Sequence, residues 1–123
     1  MTMNQSTETS PRQHLLTVGL DDYYHAQALK GVISRSQWYR FESRLQANTE
    51  RALELLDECN AKATFFVMGW VAERRPEIVR EVVRRGHEIA SQGYCHRSVR
   101  EMSRAEFRED IIAHGRCWSR RAA

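Results

Sequence analysis

The chain has 123 residues, 41% of them apolar, 28% charged and 9% aromatic, a globular composition that excludes a disordered or fibrous chain. This length supplies one hydrophobic core, not two. Formal charge is +3, with 17 Arg against Lys30 and Lys62, but Arg74, Arg75, Arg80, Arg84 and Arg85 are interleaved with Glu73, Glu77 and Glu81, the pattern of a solvated mixed-sign helix face and not of a nucleic-acid patch.

Met1 to Gln13 is polar and rich in Ser and Thr, so a disordered segment is expected over 1–13, without the apolar centre of a secretory signal. Apolar runs such as Thr64 to Met68 fall far short of the roughly 20 residues that span a bilayer. No membrane span and a cytoplasmic location are the expectations. Cys59, Cys95 and Cys117 are an odd set at wide spacing and read as reduced thiols.

His14 to Leu20 is predicted as a strand buried on both faces, ending in Asp21-Asp22. Tyr23 to about Ser36 reads as a loop. From Trp38 to Cys59, Phe41, Leu45, Ala52, Leu53 and Leu56 recur at steps near three and four and predict one long helix. Lys62 to Met68 is β-prone and ends at Gly69. Pro76 opens and Gly86 closes a helix whose apolar face is Ile78, Val79, Val82 and Val83. Glu88 to Ser91 is a third strand, and Ser103-Arg104-Ala105-Glu106 has capping-box spacing before a helix striped by Phe107 and Ile111. Periodicity is lost from Gly115, which predicts an irregular basic tail over 115–123. Strand and helix alternate as in a parallel α/β sheet or barrel.

In such folds ligands bind where strands end at their carboxyl edge. Asp21-Asp22, Gly69-Trp70 and Gln92 to His96 all fall there. Two adjacent carboxylates on an extended segment point in different directions, so one can hold a cation while the other faces a substrate water, although a bare Asp-Asp pair also suits a solvated turn or a helix cap.

Three ordered segments carry a resemblance: Thr17-Val18-Gly19-Leu20-Asp21-Asp22-Tyr23-Tyr24-His25, Ala63-Thr64-Phe65-Phe66-Val67-Met68-Gly69-Trp70-Val71, and Arg85-Gly86-His87-Glu88-Ile89-Ala90-Ser91-Gln92-Gly93-Tyr94-Cys95-His96. Together they resemble the polysaccharide deacetylases with a NodB-homology domain, most closely the branch associated with exopolysaccharide production. The resemblance implies an α/β fold, the N-terminal part of a deformed β/α barrel, over about 14–114. It also implies removal of N-acetyl groups from amino-sugar polysaccharides or oligosaccharides with a divalent metal, usually zinc. By motif, Asp21 matches the catalytic base, Asp22 the metal aspartate and His96 the second metal histidine.

Gln92 stands where the family places its first metal histidine. A neutral amide oxygen is a weaker zinc ligand than imidazole, so the resemblance implies a metal bound weakly if at all. The family's later motifs, including its general-acid histidine, have no counterpart in these residues, which leaves the third strand as an open edge and a candidate surface for self-association. His25 is a candidate partner of Asp22, and Trp70 a candidate sugar-facing ring or core residue. His87 reads as structural. Two functions follow: a metal-dependent deacetylase impaired or inactive as this short chain, or a non-catalytic truncated homologue or binding module.

Overall fold

The computed structural model describes residues 12–119. Of the segment 1–13, only Arg12 and Gln13 fall within that range, as exposed coil. Three parallel strands, β1 (Thr17–Leu20), β2 (Thr64–Val67) and β3 (Glu88–Ser91), form one sheet in the order β1-β2-β3. Gly19, Phe66 and Ala90 are in register across it, as are Val18, Phe65 and Ile89. Alternation puts these two rows on opposite faces. Phe65 and Val67 are fully buried, whereas Phe66 between them is 37% exposed, so the sheet has one covered and one partly open face.

Because β2 is central, β1 and β3 are both edges among the described residues. The expected open edge at β3 is thus matched by a second at β1. β1 is also not buried on both faces as predicted: Leu15 and Leu16 before it are exposed, and within it only Leu20 is buried.

The covered face packs on α1 (Leu45–Glu58) and α3 (Pro76–Arg84), through Leu53, Leu56, Ile78 and Val82. Pro76 occupies the first turn of α3, and Gly86 follows its end at φ +82°, where glycine is the easiest residue to place. Glu81 holds both Arg84 and Arg85, and Arg85 also reaches Asp57 on α1, so the mixed-sign pattern is one of real ion pairs.

The long helix predicted from Trp38 is two elements. A 3₁₀ turn covers Arg35–Arg40, the chain is extended at Phe41, and α1 starts only at Leu45. The break has a tertiary cause: Ser43 Oγ and the Arg44 N–H donate to the Asp22 carboxylate instead of continuing a helix. Two short 3₁₀ turns, Tyr23–His25 and Gln27–Leu29, occupy the predicted loop.

A short helix the sequence reading missed, α2 (Gly69–Arg74), follows β2 directly. After β3, α4 (Arg104–Ser119) begins with the expected box: the Ser103 N–H donates to Glu106 and the Glu106 N–H to Ser103 Oγ. It continues past Gly115, so 115–119 are helical and not an irregular tail. Its buried side is also not the predicted stripe. Phe107 and Ile111 are exposed, while His114 is buried and bonded to the Val67 carbonyl at the end of β2 (3.0 Å).

Candidate functional site

The loops after β1 and β3 supply the residues singled out by sequence. Asp21, half-buried, lies back along the strand: a Cβ on Gly19 would sit 3.2 Å from its Oδ1. Gly19 therefore leaves the room that this carboxylate occupies. Asp22 is buried and accepts from Ser43 Oγ (2.6 Å) and from the Arg44 N–H (3.2 Å to each oxygen), which ties the end of β1 to the start of α1.

His25 is the fastener of that turn. Its Nδ1 accepts the Asp22 N–H (2.8 Å), and its ring is boxed by Tyr24, Trp38 and Trp70 at 4.4, 4.5 and 5.1 Å between centroids. Burial drives its pKa down to about 4, against the pull of Asp22. With Nδ1 accepting, the neutral ring carries its proton on Nε2, so no ring lone pair is free for a cation. Trp70 is half-buried, with its edges against His25, Trp38 and Tyr24 and the Arg74 guanidinium 4.6 Å from its centre.

On the other side of the site, Gly93 at φ +75° turns the chain beyond β3. His96 has φ +53°, a left-handed conformation uncommon for a non-glycine residue and the type of strain that collects at functional sites. The Gln92 amide is 3.0 Å from His96 Nε2. In either amide orientation Gln92 engages the Nε2 of the His96 ring. Gln92 Oε1 and His96 Nδ1 are buried without hydrogen-bond partners.

A divalent metal of the kind the resemblance implies does not fit this donor set. His96 Nε2 faces an amide, Gln92 offers no imidazole, and His25 has its lone pair on a backbone N–H. Among the described residues no group of three or more His, Cys, Asp or Glu side chains could hold a metal ion. Cys95, half-buried, shares a cavity wall with His96 and makes no disulfide.

The sequence reading did not assign His114 a place. Burial lowers its pKa, opposed by the Val67 carbonyl and Asp110. His87, read as structural, is buried against Phe65, accepts the Ala63 N–H (3.2 Å), and is shifted down by burial and then Lys62, with Asp57 opposing and Arg85 reinforcing. A base whose folded pKa lies below its unfolded value, 6.5 for histidine, binds fewer protons when folded. The stability it contributes is complete above 6.5 and is lost as pH falls toward the folded pKa. The urea midpoint is therefore expected to drop between pH 7 and pH 5; a midpoint that holds or rises over that interval would contradict neutral burial of these rings.

The polysaccharide deacetylase family model matches residues 31–116. A peptidoglycan-N-acetylglucosamine deacetylase of Bacillus cereus is 38% identical over 64 residues, 52% of this chain and 23% of the relative. A chitooligosaccharide deacetylase of Sinorhizobium fredii is 32% identical over 68 residues, 55% of this chain and 32% of the relative. A crystal structure from Mycobacterium smegmatis, described as a polysaccharide deacetylase, superposes with a TM-score of 0.71 at 28% identity, covering 88% of this chain and 38% of that one. The chain thus spans less than a third of the curated relatives it matches. No helix among the described residues is long and apolar enough to cross a membrane. The family match over residues 31–116, with three parallel strands in a fold that superposes on a polysaccharide deacetylase structure, places the chain in the polysaccharide deacetylase family.

Proposed function

We propose that residues 14–114 form the N-terminal part of a deacetylase domain for N-acetylated amino-sugar polysaccharides, and that its metal site is disabled. In this reading Asp21 holds the position of the base, and Asp22 and His96 hold two metal positions. Gln92 is the position at which the metal-ligand pattern of the family is broken. What remains is a module that recognises an acetylated saccharide without cleaving its carbon-nitrogen amide bond.

The contact that carries the reading is the Gln92 amide on His96 Nε2 at 3.0 Å. It replaces one ligand with a neutral amide and engages the second. Asp22, the remaining anionic group, already accepts from Ser43 and Arg44. Zinc titration by calorimetry, alongside acetate release from an acetylated chito-oligosaccharide, tests it. The expected result is no stoichiometric zinc binding at micromolar protein and no acetate release. Tight zinc binding with turnover would overturn it.

A further inference from the structure

Beside His96 lies a cavity of about 230 Å³, walled by Trp38, His25 and His96 and rimmed by Lys30, Arg35 and Arg97. Among the described residues no carboxylate lines it. Two of its three permanent cations are fixed from outside: Lys30 pairs with Glu101, and Arg97 with Glu106 and the Glu101 carbonyl. Those acids partly cancel the charge but hold both cations at the rim. Arg35 is different. It is exposed and, among the described residues, has no ion-pair partner.

Local structure sets the place of Arg35. It is the first residue of the 3₁₀ turn Arg35–Arg40, and the Ser34 N–H donating to Gln37 Oε1 (2.9 Å) fixes the entry to that turn. Trp38, one turn further on, is buried and closes the cavity floor against His25. The side of the cavity facing His96 would receive the acetamido unit, and the cationic rim would meet the neighbouring unit.

We propose that this cavity recognises a saccharide whose sugar next to the N-acetylated unit carries a carboxylate, with Arg35 as its main anchor. A guanidinium matches a carboxylate through two parallel N–H donors, and charge-assisted bonds of this kind are the stronger class. The proposal rests on the saccharide reading above and sharpens it from acetylated polysaccharides in general to acidic ones.

The test compares two probes on the 123-residue chain by calorimetry at low salt: a hyaluronan tetrasaccharide, which alternates N-acetylglucosamine with glucuronate, and the neutral tetra-N-acetylchitotetraose. The acidic probe should bind at least about 10-fold more tightly, the size of effect one charge-assisted contact supplies, and its advantage should shrink as salt rises. Arg35→Gln should remove that advantage and leave the neutral probe unchanged. Arg35→Lys should restore part of it, and circular dichroism should show both variants folded. Equal or weaker binding of the acidic probe, or an advantage that survives Arg35→Gln, overturns the anionic subsite while the saccharide reading stands. Binding of neither probe overturns both.

Discussion

Gln92→His is expected to tighten zinc binding by at least about 100-fold, because changing residues that merely orient a metal ligand already shifts affinity roughly 10–100-fold, and this substitution supplies a ligand itself. The imidazole would replace the amide now placed against His96 Nε2 and release that nitrogen. Asp22 is held in place by Ser43 and Arg44 and is the carboxylate that a restored site would draw on. Calorimetric zinc titration of the variant and of the Gln92→His/His96→Ala double variant measures the change. The single variant should bind and the double variant should lose most of the gain. A single variant no tighter than the parent chain would mean that the three positions do not converge as the strand ends suggest.

Phe65→Ala is expected to cost about 3–5 kcal/mol, the range for removing a fully buried aromatic ring from a core. Phe65 is 0% exposed at the centre of the middle strand, against His87 on one side and the helix layer on the other. A domain of ordinary stability has only about 5–15 kcal/mol in hand, so this one change should remove a large share of it and lower the urea midpoint steeply. Phe66→Ala is the control. Its ring faces the open side of the sheet at 37% exposure, and its loss should lower the urea midpoint far less. Equal losses at the two positions would mean that the open face is covered in solution.

The strands were legible because their signals are local. A β-branched and aromatic run ended by Gly69 places β2, a short segment between Gly86 and Gly93 places β3, and Pro76 with Gly86 places α3. Candidate residues at strand ends were legible for the same reason, since parallel topology gathers carboxyl ends whatever the loops do. What the pattern misses is tertiary. Trp38, Phe41 and Leu45 lie at helical spacing, yet the Asp22 carboxylate draws Ser43 and Arg44 into a turn and breaks the stripe. Phe107 and Ile111 look like the buried face of α4, but the helix is anchored instead by His114 on the Val67 carbonyl, a polar contact that hydrophobic periodicity does not register. His25 reads as a candidate neighbour of Asp22 from three residues away. Its role as backbone acceptor inside an aromatic box depends on Trp38 and Trp70, which come from elsewhere in the chain.

The Gln92 position ties these threads together: a family scaffold in which one amide engages His96, the histidine proposed for a metal position. Nitrogen-15 NMR of the His96 imidazole, recorded with and without one equivalent of zinc, tests that arrangement directly. The Nε2 resonance should stay where it is in the parent chain and shift only in Gln92→His. A stoichiometric zinc-induced shift of His96 Nε2 in the parent chain would contradict it.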